Sequence, residues 1–190
     1  MIWIESIATY FQLGFTHVIP LGFDHILFIL TLFFLSSNIK TMLIQCSIFT
    51  LAHSISLALA SSGWINPNAT IVEPLIALSI LFTAIENIVH DKINPWRLFL
   101  IFGFGLIHGL GFAKALSEIG MPKNQFFTSL FSFNIGVEMG QITVIIAAYF
   151  IISKWFSNKI WYKERVVYPI SSVIACVALY WVIERILFPI

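Results

Sequence analysis

Along this chain the apolar positions come in long unbroken runs, and the polar positions between them are few and short. Runs of about 20 apolar residues, enough for a helix to cross a bilayer, are separated by the connectors NIK, GWINPN, DKINPWR, EIGMPKNQ and SNKIWYKER. The pattern predicts six spans, over approximately 21–37, 41–62, 70–90, 98–117, 126–154 and 166–187. Such short connectors make consecutive helices antiparallel neighbours in one compact bundle, so the expected fold is an all-α integral membrane protein with a single transmembrane domain over 1–190. The segment IWIESIATYFQLGF before the first run is too polar and too short for a further span. It is expected to lie as a short interfacial helix.

Composition agrees with that class. Of 190 residues 59% are hydrophobic and 10% charged, and the mean hydropathy is +0.94; a soluble domain carries roughly 25% charged residues. A net charge of +1 gives no electrostatic reason to expect nucleic acid. Cys46 and Cys176 lie in apolar runs without CxxC spacing, as small packing residues do, and the N-terminus lacks the basic region of a signal peptide. The connectors after spans one, three and five hold Lys40, Lys92, Arg97, Lys154, Lys159, Lys163 and Arg165, against Lys114, Lys123 and Arg185 on the other side. By the positive-inside rule the first set is cytoplasmic. Both termini are then expected in the periplasm of a bacterial inner membrane. A homo-oligomer is compatible with such a bundle.

Against this background the ionisable residues stand out, above all in GFTHVIPLGFDHILFIL. His53 and His108 each lie nine residues from the outer end of their span, roughly 13 Å deep at about 1.5 Å per residue. Asn134 and Glu138 lie in the outer half of span five, Glu73 near the outer end of span three, and HVIPLG is read as an irregular dip that carries His17, Asp24 and His25 inward. Irregular backbone at depth is tolerated only against protein or a wet cavity. Ionisable side chains near the bilayer centre cost about 2.5–3.5 kcal/mol each, which makes a purely packing role at one level on five segments expensive. Cys46, Thr50, His53 and Ser56 form one polar stripe, and Asn134, Glu138 and Gln141 another. Ser132, Gly136 and Gly140 have small-xxx-small spacing, and Gly105 and Gly111 flank His108, permitting close approach of a neighbour or a ligand. Asp24 has a plainer reading as N-cap of span one, accepting from the N–H of Ile26 or Leu27, and a lone intramembrane histidine can be a hydrogen-bonded packing residue.

The ordered set GFTHVIPLGFDHILFIL, FTLAHSISLALA, VEPLIALSI, GLIHGLGFA and FNIGVEMGQ resembles the motifs of the hydrogenase/urease accessory HupE/UreJ family of small polytopic membrane proteins. The resemblance runs through spans one to five. It implies a nickel permease, with His17, Asp24, His25, His53 and His108 as suggested ligands and Glu73 and Glu138 as acidic partners. Imidazole with carboxylate suits nickel, zinc, copper or iron, among which affinity order does not choose; the resemblance favours nickel, with zinc next, and Glu138 or Asp24 could hold the far nitrogen of a ligating histidine. Two functions fit such a site. In a permease, Glu86, Asn87 and His90 would extend polar character into the inner half as an exit route, although His90 and Asp91 are equally the wet end of a helix. In an intramembrane zinc-type enzyme, three protein ligands would leave a water in the fourth position and Glu138 would act as general base.

Overall fold

The computed structural model describes residues 3–35, 38–90, 94–120 and 123–188, apart from the side chains of 114, 117, 118 and 123. The end of the first expected span at Ser37, and Asp91 and Lys92, lie outside the described residues, as do the side chains of Lys114 and Lys123. The elements are α-helices α1 (Trp3–Val18), α2 (Phe23–Leu35), α3 (Ile39–Ser61), α4 (Ala69–Val89), α5 (Arg97–Ile119) and α6 (Phe126–Ala148). A π turn (Tyr149–Ser153) extends α6 into the short α7 (Lys154–Phe156), and α8 (Tyr168–Leu187) follows a second π turn (Lys163–Val167). Among the described residues there is no strand.

Polar punctuation sets the ends. The Asn38 side chain accepts from the N–H groups of Lys40 and Thr41 at the start of α3, and Asn68 from that of Thr70 at the start of α4, satisfying donors that a helix leaves free. Gly120 closes α5 with φ of 78°, a conformation costly for any residue with a Cβ, and its carbonyl accepts from the Tyr10 hydroxyl at 2.7 Å, tying α1 to this end of the bundle.

Among the described residues, four helical stretches are long and apolar enough to cross a membrane: α3, α4, the α6–α7 run over Phe126–Phe156, and the run over Lys163–Leu187. The pair α1 and α2 passes the same test only as one span bent by 66°, and α5 contributes a shorter apolar stretch, Arg97–Ala113. This is a multi-pass membrane protein. The expectation of a separate interfacial helix at the N-terminus needs correction, because α1 is packed along α6. Ser132 Oγ donates to the Ile7 carbonyl at 2.6 Å, the hydroxyls of Ser6 and Ser129 meet at 3.5 Å, and a Cβ on Gly136 would run into the Phe11 carbonyl and the Phe15 nitrogen. The small residues of α6 thus admit a neighbouring backbone, and Ser6 of α1 finds a hydroxyl partner on α6.

Three close pairs organise the bundle: α3 with α5, α1 with α6, and α4 with α8. Gly105 of α5 lies against Phe49 and Ala52 of α3, and Gly109 against His53 and Ser56, so these two helices run parallel. Between the pairs sits α2, in contact with α1, α3, α4, α6 and α8. Thr31 of α2 donates to Thr83 Oγ1 of α4 at 2.8 Å, and Asn87 Nδ2 reaches the Thr31 carbonyl at 2.9 Å and Ser171 Oγ of α8 at 3.2 Å. Those bonds lock α2, α4 and α8 in the half of the bundle remote from Gly120.

Candidate metal centre

The break between α1 and α2 builds the site. Pro20 offers no N–H, so the chain cannot continue α1, and Gly22 comes so close to the His17 carbonyl that a Cβ there would collide with it. The turn remains bonded, Leu21 N–H to the Thr16 carbonyl at 3.2 Å and Gly22 N–H to that of Val18 at 3.3 Å. His17, one residue before the end of α1, therefore faces His25, in the first turn of α2, with ring centroids 4.5 Å apart. From α3, His53 stands 5.7 Å from each of them, and from α5 the His108 ring is 5.2 Å from that of His25. One ring nitrogen from each of His17, His25 and His53 falls within 4.8 Å of the others.

Partners fix which nitrogens are available. Asp24 Oδ1 lies 3.1 Å from His25 Nδ1, and the Phe104 carbonyl 2.8 Å from His108 Nδ1. A carboxylate and a carbonyl can only accept, so in neutral imidazoles both Nδ1 atoms carry the hydrogen and both Nε2 atoms keep the lone pair. Nε2 of His17, His25 and His108 and both nitrogens of His53 are buried without a protein partner. A buried polar atom left unpaired costs about 1–3 kcal/mol, and one lone pair from each of these four imidazoles, with one nitrogen of His53 keeping its hydrogen, is the donor set a cation would satisfy. The walls are aromatic. Phe112 packs on His17 with centroids 3.9 Å apart and stacks on Phe133, while Phe28 and Phe49 lie 5.3 and 5.0 Å from His108.

A cavity of about 360 Å³ reaches the cluster, lined by His17, Asp24, His25 and His108 with Glu73 and Ile76 of α4 and Leu13, Phe112 and Ile119 towards its sides. Glu73 is held there by Arg185 of α8, whose Nη1 is 3.1 Å from the carboxylate and 2.9 Å from the Glu73 carbonyl.

A protein-family model described as HupE / UreJ protein matches residues 2–185. The chain belongs to the HupE/UreJ family. No curated protein and no solved structure matches it. For this HupE/UreJ protein the structure brings five of the expected site residues together, His17, Asp24, His25, His53 and His108, with Glu73 on the cavity wall.

Other expected residues stand elsewhere. Glu138 does not join the histidines. Its Oε1 accepts from Ser47 Oγ at 2.8 Å, in a separate groove between α3 and α6 that Asn134 also lines. Gln141, on the same stripe, donates to Thr50 Oγ1 at 2.7 Å. The stripe thus meets α3 rather than the cavity. Asp24 does not cap α2 as expected: Phe23 already opens that helix, and Oδ1 takes the backbone N–H of His25 at 2.8 Å rather than that of Ile26 or Leu27. Glu86 is no solvated waypoint, being buried in an ion pair with Arg97 Nη1 at 2.6 Å, and Asn87 belongs to the α2–α4–α8 lock. His90 is the exposed C-cap of α4, its carbonyl accepting from Lys163 Nζ at 3.3 Å.

Two residues with a part in this arrangement were read from the sequence only as terminal positive charges. Arg97 is 1% exposed and paired inside the bundle, and Arg185 reaches the cavity wall. The signal for Arg97 lay in spacing, since it stands 11 residues after Glu86 across a connector short enough to bring the two helices together.

Proposed function

We propose that this chain is a permease for a divalent transition metal, nickel first and zinc next, with His17, His25, His53 and His108 as the transit site and Asp24 holding His25 in its ligating orientation. The observation that carries the reading is the broken helix. Secondary transporters recurrently place substrate and ion sites where a transmembrane helix is interrupted, and here the interruption sets one histidine on each side, facing two more. The metal is cargo. It enters through the cavity beside Glu73 and leaves towards the end carrying Lys40, Lys154 and Lys159, which the positive-inside rule puts in the cytoplasm of a bacterial inner membrane, with both termini periplasmic and residues 1–190 forming one transmembrane domain. The choice of nickel follows the family's association with nickel supply to hydrogenase and urease, and imidazole ligation suits nickel or zinc.

Elemental analysis of protein purified without added metal, followed by uptake into proteoliposomes, tests the reading. Bound nickel or zinc that disappears in His53→Ala and in His108→Ala, together with saturable uptake by the wild type, is the expected result. A wild type that binds no transition metal, or binds it equally well without those histidines, removes the proposal.

A second reading, an intramembrane metal-dependent enzyme, keeps one observation in its favour: the cavity beside the histidines carries the Glu73 carboxylate, which could act on a metal-bound water. The base first assigned to that role, Glu138, lies in the other groove. Metal binding without uptake would favour this reading over transport.

A further inference from the structure

Glu138 is an intramembrane carboxylate that the histidine cluster does not use. It lies twelve residues into α6, roughly 18 Å along that helix from Phe126. Among the described residues no Lys, Arg or His is within ion-pair distance of it. Its groove, about 800 Å³, runs from Phe127 and Thr128 at the start of α6 down to Glu138 and Ser47, and is apolar except for hydroxyls and one carboxamide along its length. Ser47 Oγ donates to Glu138 Oε1, and Asn134 Oδ1, one turn nearer the start of α6, is buried without a partner while its Nδ2 bonds the Leu130 carbonyl.

An ionised carboxylate facing an apolar groove in a bilayer is costly unless it is neutralised. The groups around it offer one negative charge and neutral oxygens, so one positive charge balances the site and hard oxygen donors suit it. A divalent ion would leave an uncompensated charge, and a nickel-type ion is better served by the imidazoles elsewhere. We propose that Glu138, with Ser47 and Asn134, is a binding site for a small monovalent cation, a proton or sodium, reached along the α3–α6 groove. The site stands on its own geometry; its role as the coupling ion of transport rests on the permease reading. The structural link is α3, which carries Ser47 at this site and, two turns on, His53 in the cluster. The titratable group that faces Glu138 from α3 is the Cys46 thiol. From α1, His17 approaches α6 on its Phe133 side, about 140° around the helix from Glu138, with His25 of α2 4.5 Å from the His17 ring.

The hydrophobic reagent N,N′-dicyclohexylcarbodiimide couples only to a protonated carboxyl in apolar surroundings, and mass spectrometry of wild-type protein in liposomes locates the adduct. Glu138 is expected to react at acidic pH and to lose its adduct as pH rises, while Glu86, paired with Arg97, does not react; E138Q removes the assigned signal. Protection by sodium chloride but not by choline chloride identifies sodium, and protection by alkaline pH alone identifies the proton. A Glu138 that never reacts, or reacts alike at every pH and salt, overturns the proposal. Because the readout is wild-type and site-resolved, it does not depend on the variant folding. Nickel binding measured on the same preparation reports the histidine cluster separately, so the two proposals fail independently.

Discussion

Gly105→Ala should loosen the metal site without touching a ligand. A Cβ built on Gly105 would stand 2.5 Å from the Phe49 carbonyl oxygen and 2.8 Å from the Ala52 Cβ, both on α3. Bringing the first contact from 2.5 Å to between 3.0 and 3.4 Å means separating α5 from α3 by about 0.5–0.9 Å, and the opposing atom is backbone, which cannot rotate away. Ligand constellations tolerate displacements of only about 0.5 Å, and α3 and α5 carry His53 and His108 within a turn or so of that contact. The expected result is a loss of nickel or zinc affinity on the order of 10- to 100-fold, the range seen when the groups that orient ligands are disturbed, with an overpacking cost of about 1–3 kcal/mol in the apo protein. Gly103→Ala is the matched control, since a Cβ there meets nothing within 4 Å and any gain in helix propensity is common to both variants. The assay is metal titration of purified protein by calorimetry, beside thermal unfolding of the apo forms. Equal affinities for the two alanine variants would refute the claim that the α3–α5 distance sets the site.

Four further outcomes are expected. His25→Ala should abolish tight binding, whereas Asp24→Asn, which keeps the ring but weakens the bond to Nδ1, should cost about 10- to 100-fold; equal losses in titrations at one pH would put Asp24 among the ligands. Glu86→Gln leaves the Arg97 guanidinium buried without its partner and should destabilise by about 3–5 kcal/mol, so lowered uptake in that variant reports folding, and Glu86→Gln/Arg97→Met should recover most of the stability in a denaturation series. Arg185→Gln frees Glu73 at the cavity and should tighten metal binding by on the order of two- to fivefold, the scale of a partly exposed ion pair; unchanged or weaker binding would mean that Glu73 does not feel the cargo. A membrane-impermeant thiol reagent applied to intact cells should label Asn66→Cys and not Lys159→Cys, and the reverse pattern would invert the bundle.

The apolar runs made the long helices legible, and α3, α4 and α5 are each bounded by a residue with a local reason to start or stop a helix, Asn38, Asn68 and Gly120. The first span was less legible. Glu5, Ser6, Thr9 and Gln12 make α1 look like a surface helix, and only contact with the small residues of α6 shows how such a segment is accommodated. Depth counting brought His53 and His108 to one level, and the structure places them around a common ring, His25. The same method misplaced Glu138. Depth and helical spacing say which residues share a level and a face, but not which neighbouring helix that face meets. Arg97 shows the converse, a charge read as solvated from its position at the end of a run and in fact buried and paired with a carboxylate on the preceding helix.

The charges around the cavity bear on why the site should pass an ion rather than keep one. Neutral imidazoles contribute no charge, so Asp24 alone opposes the two positive charges of the cargo at the cluster. The next carboxylate, Glu73, is already engaged by Arg185 at 3.1 Å. A divalent ion among the histidines therefore leaves about one unit of positive charge in surroundings walled by phenylalanine, where uncompensated charge is expensive. Were Arg185 to withdraw into water, Glu73 would cancel that unit, and its return would restore it. On the permease reading, this partial compensation is what transit requires, binding that holds an ion and still releases it.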